Sequence, residues 1–278
     1  MSKKKTSTRI FHYVLIGSLL VIFLFPIYWM IISSFHTNPE LMRFPPKFGL
    51  SDSGLRNYAN ILMQQRYITN FTNSIIISSS SVILSILLSV FAGYAFSRYP
   101  IKGKGILMGL ILNVQIFPVT VIIISLFTFY SRLGMLDTYG GIILANIIYS
   151  LPFTVWFIKA FFDTIPKSID EAAFIDGCSR TRVLTSIIVP LITPGIIAIG
   201  IYTFLYSWDD FIFALTILRS ESMKTLPLGL VQSFMGEYVH DYAGMMTLSV
   251  LASLPVVAAF LLTQKYMIAG LTNGAVKG

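Results

Sequence analysis

Charge is what this chain has least of. Of its 278 residues 12% are charged and 55% hydrophobic, whereas a water-facing globule carries roughly 25% charged residues. Too few polar side chains exist to cover a soluble domain, so the solvent for most of the chain is lipid. Cysteine is almost missing: Cys178 stands alone, which excludes an internal disulfide framework and reads as a small residue at a turn. Histidine occurs only as His12, His36 and His240, with no pair at metal-ligand spacing, so no metal site is expected. There is no G-x-x-x-x-G-K-[ST] phosphate loop; Gly103-Lys104-Gly105 is a turn. No grouping of nucleophile, base and orienting residue suggests itself, which points away from an enzyme. The apolar stretches also lack an ionisable residue near their centres, where ion-driven carriers often place one. Uphill movement of a solute by such a chain requires energy from another protein.

What is present is a set of apolar runs. A spanning helix needs about 20 apolar residues, and six stretches qualify: 10–34, 72–96, 106–130, 140–161, 186–206 and 243–264. The expected fold is therefore all-α, a polytopic membrane protein with six transmembrane helices. The first run follows Lys3, Lys4 and Lys5 but is longer than a signal-peptide h-region, and Ser33-Ser34-Phe35-His36 supplies no small-x-small cleavage site, so it reads as a retained helix.

Basic residues set the orientation. With the N-terminus inside, the inner segments hold Lys3, Lys4, Lys5, Arg9, Arg98, Lys102, Lys104, Lys159, Lys167, Arg180, Arg182, Lys265 and Lys277. The outer ones hold only Arg43, Lys47, Arg56, Arg66, Arg132, Arg219 and Lys224. The positive-inside rule then predicts that both termini are cytoplasmic. The formal net charge of +8 is a topology signal on this reading, and no nucleic-acid partner is expected.

The sequence divides accordingly into a cytoplasmic N-terminus (1–9), a first span (10–34), an outer loop (35–71), a core (72–268) and a C-terminal tail (269–278). Pro45-Pro46 and the Gly49–Gly54 run mark the outer loop, and 55–69 reads as a short amphipathic piece at the membrane surface. Ser78-Ser79-Ser80-Ser81 supplies a packing face, because small residues let helices approach closely in lipid. Asn113 and Gln115, close to Pro118, need polar partners at membrane depth. They either bond across helices or line a path for a polar solute. Trp208, Asp209 and Asp210 lie at the outer end of the fifth span, where an aromatic ring can stack on a sugar and carboxylates can bind its hydroxyls, which makes them candidates for a solute contact. Phe234, Tyr238 and His240, in the outer loop 218–241, read as an interfacial belt or as a contact surface.

The largest inner loop, 162–186, holds the one compact charged element. Ser168-Ile169-Asp170-Glu171 has the form of a capping box, with Ser168 as N-cap, so a short helix is predicted to about Asp176. Gly177 suits the left-handed position that ends it, and Ser179 can cap a second helix. Val183, Leu184, Ile187 and Ile188 share one face of that helix. Ala172 and Ala173 let another surface approach closely, beside Ile169 and Phe174, which are poorly placed in water alone.

The run Glu171-Ala172-Ala173, with Gly177 six residues after the glutamate, then Ile187-Ile188-Val189-Pro190, resembles the EAA loop of the permease subunits of binding-protein-dependent ABC importers. Val189, where leucine is commoner, is the one departure. Tyr206–Phe211, Thr225–Leu230 and the ending from Gln264 to Gly278 are similar to the carbohydrate branch of that family, the maltose type. The resemblance implies the MetI-like permease fold, with EAA coupling helices at about 165–188 that dock on a cytoplasmic ATPase. Glu171, Ala172, Ala173, Asp176, Gly177, Ile187 and Pro190 would form that docking element. A short flexible tail carrying Asn273, Gly274 and Lys277 would reach toward the ATPase, and the 218–241 loop would probe the solute-binding protein. The implied partners are a sister permease in a heterodimer, two ATP-binding subunits, an extracytoplasmic solute-binding protein, and a sugar or oligosaccharide. The membrane would be bacterial or archaeal. ATP and magnesium would be held by the partner ATPase, with no cofactor in this chain. A self-powered carrier or channel is the competing reading.

Overall fold

The computed structural model describes residues 2–51, 54–235 and 241–275, with the backbone alone for 2–10 and 266–275. Among these residues there are helices and no strands. The chain forms two compact units, one built from the chain up to Tyr67 with Leu230–Leu254, the other from Ile68–Gly229 with the chain from Pro255 onward. In order the helices are α1 (Ser2–Ser34), α2 (Asn38–Leu41), α3 (Gly54–Leu62), α4 (Gln65–Arg98), α5 (Lys104–Asn113), α6 (Val119–Arg132), α7 (Tyr139–Thr164), α8 (Lys167–Ile175), α9 (Arg180–Arg182), α10 (Val189–Leu191), α11 (Thr193–Trp208), α12 (Ile212–Ile217), α13 (Leu226–Phe234) and α14 (Tyr242–Ala275).

Four helical stretches are long and apolar enough to cross a membrane: Phe11–Ser34, Gln65–Arg98, Tyr139–Thr164 and Tyr242–Lys265. Two bent pairs bring the total to six if each is one span. The expected spans at 106–130 and 186–206 correspond to these two bent pairs. The first bends by 96° between Ile116 and Val119. Its cause is Pro118, which pushes the preceding residue out of the helical region; Phe117 sits at φ −71°, ψ 130°. The second bends by 80° at Ile192, between Pro190 and Pro194, two residues that remove backbone donors. Two boundaries also move. The second span begins at Gln65 rather than at 72, so α3 is all that remains of the expected surface piece. Helix α14 continues through Asn273 and Gly274 to Ala275, so the expected flexible tail is helical that far. Lys277 lies outside the described residues.

In the first unit, α1 exposes apolar side chains such as Phe11, Val21, Phe23 and Leu24, as a lipid-facing helix does. Its C-terminal end is tied down by polar bonds. Asn57 Nδ2 donates to the carbonyls of Ser34 (3.0 Å) and His36 (2.8 Å), and Thr247 Oγ1 donates to Ser34 O at 3.2 Å. Glu40 accepts from the Thr37 amide, Ser51 and Lys47. That Thr37 amide, with the other donors, holds its carboxyl down to about 2.

The second unit packs α4, α7 and α11 together through small and polar side chains. Ser78, Ser81, Ser85 and Ser89 of α4 are all fully buried, three or four residues apart and so on one face. Ser85 Oγ lies 3.3 Å from Ser150 Oγ on α7. Ser207 Oγ of α11 lies 3.5 Å from Ser81 Oγ and accepts from Asn146 Nδ2 at 3.0 Å. Ser81, Ser85 and Ser207 thus find partners across the bundle, as lipid demands, and Ser89 Oγ donates to Ile86 O on its own helix. Gly93 marks a close approach of α4 to α7: a Cβ there would lie 2.8 Å from Ile158 Cγ2. One end of this bundle is closed by an apolar cluster of Val90, Tyr94, Ile158, Phe162, Val183, Ile188 and Ile199. That cluster is the floor on which the charged hairpin rests.

Candidate functional site

The hairpin is α8 and α9 with the turn between them. Helix α8 starts one residue before the expected capping box: Pro166 is its N-cap, and no side chain caps it. Ser168 and Glu171 are therefore inside the helix, and the box is not formed. Its C-terminal end follows the sequence reading. Asp176 is the C-cap and Gly177 takes φ +81°, a conformation a Cβ disfavours. Gly177 N donates to Phe174 O at 3.1 Å and Cys178 N to Ala173 O at 3.0 Å, the paired bonds of a Schellman ending. Cys178 is half-buried beside Ala173 on the apolar floor, the apolar contact that accompanies this ending. Ser179 Oγ then accepts from Arg182 N at 3.4 Å, capping α9. Beyond it, Val183–Ile188 adopts a π-helix in place of the expected α-helix, next to Pro190, which cannot donate to the preceding turn. Val183, Leu184 and Ile188 are buried and Ile187 packs against the same floor. Pro190 is exposed.

Helix α8 has two unlike faces. Inward, Asp170 forms a buried ion pair with Arg98 of α4 (Nη2–Oδ2 3.0 Å) and accepts from Tyr94 Oη at 2.9 Å. Arg98 also donates to Ile165 O at 3.1 Å. Ala173 is buried in the floor, with Ile169 packed beside it. The sequence reading put both alanines on the approach surface; the structure divides them, Ala173 seating the helix on its own core and Ala172 facing out. Outward with Ala172 stand Glu171, Phe174 (42% exposed) and Ile175 (86% exposed). Arg180 stacks over the Tyr99 ring at 5.7 Å. Glu171, Lys167, Phe174 and Arg180 rim a small hollow of about 180 Å³ floored by Arg98 and Asp170. A second clamp lies beside it: Ser97 Oγ donates to Asp163 Oδ1 at 2.6 Å, and Lys159 pairs with the same carboxylate.

The candidate solute-path residues separate. Asn113 bonds within its own helix, Nδ2 to Gly109 O at 2.7 Å. Gln115 Nε2 reaches across to Tyr149 O at 3.3 Å. Trp208 is buried, stacked on Phe204 and edge-on to Phe71. Asp209 and Asp210 line a cavity of about 660 Å³ together with Tyr149, Tyr202, Tyr206 and Phe211. Asp210 is also the N-terminal anchor of α12, accepting from Phe213 N (3.1 Å) and Ala214 N (3.2 Å). In the other unit Phe234 is buried, stacked on Tyr67 at 5.9 Å; Tyr238 and His240 lie outside the described residues. No group of three or more histidine, cysteine, aspartate or glutamate side chains able to hold a metal occurs among the described residues.

Sequence reading missed the Arg98–Asp170–Tyr94 lock and the tyrosine cavity. The lock had one available signal, an arginine ending a span and an aspartate opening the next inner helix.

The family model for the binding-protein-dependent transport system inner membrane component matches residues 50–273. The trehalose/maltose transport system permease protein MalG of Thermococcus litoralis is 35% identical over 270 residues, covering 95% of this chain and 96% of the relative. The arabinooligosaccharides transport system permease protein AraQ of Halalkalibacterium halodurans is also 35% identical, over 99% of this chain and all of the relative. A chain of a bacterial ABC transporter that imports the acidic polysaccharide alginate has the same fold, with a TM-score of 0.84 over 96% of this chain and 99% of that one, at 22% identity. The chain belongs to the family of inner-membrane components of binding-protein-dependent transport systems.

Proposed function

We propose that this chain is one of two permease subunits of an ATP-driven carbohydrate importer, with both termini in the cytoplasm. It pairs with a sister permease, two ATP-binding subunits and an extracytoplasmic binding protein. It catalyses no reaction; it transmits ATP-driven closure to the path between the permeases. Membership of the family and the sugar-transport names of several relatives support this reading.

The observation that carries it is the two-faced α8. The inner face is fixed by a buried ion pair and an apolar seat, so the helix cannot swivel freely on the bundle. The outer face leaves Phe174 and Ile175 in water beside Glu171 and Ala172. A rigid element with an unpartnered apolar tip transmits force to or from whatever covers it, and the family resemblance makes the ATPase that cover. Burying an isoleucine side chain contributes about 1.5–3 kcal/mol, so Ile175→Asp should weaken ATPase capture at least tenfold in a pull-down from membranes, with unchanged permease accumulation. Glu171→Ala and Gly177→Pro should do the same by removing a charged contact and the turn. Full ATPase recovery in all three would overturn the docking role. Uptake by the purified chain alone, indifferent to ATP, would favour the self-powered carrier.

A further inference from the structure

Resting on that reading, the cavity beside α12 narrows the solute class. We infer that Tyr149, Tyr202, Tyr206 and Asp209 form a subsite for a neutral sugar ring within this subunit, one that selects against anionic sugars.

The cavity, about 660 Å³, falls in the range of small-molecule sites. Its wall is a sheaf of rings. Tyr149 and Tyr206 stack at 5.1 Å with planes 10° apart, and Tyr202 continues the row 6.5 Å from Tyr206. Phe153 backs Tyr202 at 4.5 Å, and Gln115 bonds the Tyr149 carbonyl. Bracing of this kind fixes ring positions without a ligand, which lowers the ordering cost of binding. The parts of these rings that line the cavity offer aromatic surface to the C–H groups of a pyranose or furanose, and phenol hydroxyls both donate and accept. Asp210 is committed to the α12 amides, but Asp209 is exposed at the cavity wall. Its carboxylate is an acceptor for sugar hydroxyls. No lysine or arginine lines the cavity. A uronate, sulfonate or phosphate would meet a carboxylate, and this chain's lining of the cavity supplies no cation to offset it. A neutral sugar meets acceptors and aromatic surface.

The test uses this chain co-purified with its sister permease in lipid nanodiscs, so that the binding protein imposes no selection. Saturation-transfer NMR reads the binding of maltotriose, xylotriose and arabinotriose, and of trigalacturonate. At least one neutral trisaccharide should bind saturably, at least about tenfold more tightly than trigalacturonate, the order of one like-charge repulsion in a partly buried site. Tyr202→Ala should abolish the neutral signal. Asp209→Asn, at an exposed position that spares the fold, should close the gap, and Asp209→Lys should reverse it. Equal binding of trigalacturonate by the unaltered protein, no neutral binding, or a ratio untouched by Asp209→Asn would overturn the subsite. The same preparation is tested for ATPase capture. Capture without the charge contrast overturns the subsite alone; failure of capture overturns the importer reading and the subsite with it.

Discussion

Removing the Asp170 carboxylate tests whether α8 is held by charge or only by apolar seating. Both partners are nearly buried, with side-chain exposures of 9% for Arg98 and 7% for Asp170. Asp170→Ala strands a guanidinium in that environment and takes away the acceptor of Tyr94 Oη. Breaking a buried pair from one side costs roughly 3–5 kcal/mol. Arg98 keeps its bond to Ile165 O, which favours the lower end, about 3 kcal/mol. The loss appears as easier release of α8 from the bundle, and each 1.4 kcal/mol is about tenfold in that equilibrium. Amide exchange across 167–177 in nanodiscs reads the release directly. It should quicken by about 100-fold, while exchange in the middle of α7 stays unchanged. The double variant Arg98→Met/Asp170→Leu replaces the pair with apolar groups of similar size, which is often neutral, and should recover most of the protection. Exchange of α8 in Asp170→Ala within threefold of the unaltered protein would refute the argument and leave Ala173 and Ile169 as the sole anchors.

Other consequences follow from particular contacts. Gly177→Ala forces a Cβ into the left-handed region and should cost about 1 kcal/mol, read as faster exchange confined to the hairpin. Gly93→Val drives a branched side chain into Ile158 and should lower the yield of folded protein by detergent-stable size-exclusion, whereas Gly109→Val, with open space around it, should not. Asn146→Ala leaves Ser207 without its donor and should destabilise the bundle by about 0.6–2 kcal/mol, read as a lower midpoint of thermal unfolding. Glu40 gives a pH dependence of known sign. Its carboxyl is held at about 2 against an ordinary 4.5, so its contribution is fully present above about 4.5 and fades as pH falls toward 2. The melting difference between the unaltered protein and Glu40→Gln should therefore be constant from pH 7 to 5.5 and shrink below pH 4.5.

The elements that sequence reading found are those set by local chemistry. Gly177 and Ser179 impose backbone geometry on their immediate neighbours, and both sit where the sequence puts them. Six apolar runs are equally plain, because lipid requires length and nothing else. Bends were less legible: Pro118 and Pro194 were visible, but a proline inside a span is compatible with a kink or a full break, and neighbouring helices decide which. The start of α8 departs from the sequence pattern because Ser168 and Glu171 have the form of a capping box, while Asp170 turns inward toward Arg98. That pair is separated by 72 positions, and no local pattern announces it. The serine face of α4 was half seen. Ser78 and Ser81 belong to it, but Ser79 and Ser80 do not, and the continuation at Ser85 and Ser89 follows helical spacing that the four-serine run obscured. The tyrosine cavity draws on α7 and α11 and is a product of their packing.

The central claim is that this chain has no energy source of its own and is driven through α8. The most direct measurement is sugar uptake and ATP hydrolysis by the complete complex in proteoliposomes, with its binding protein, comparing the unaltered chain with Ile175→Asp. The account predicts sugar-stimulated hydrolysis with coupled uptake from the unaltered complex, both lost in the variant, and no uptake by the chain alone. Coupled hydrolysis and uptake at full rate in Ile175→Asp, or uptake by the chain alone without ATP, would contradict it.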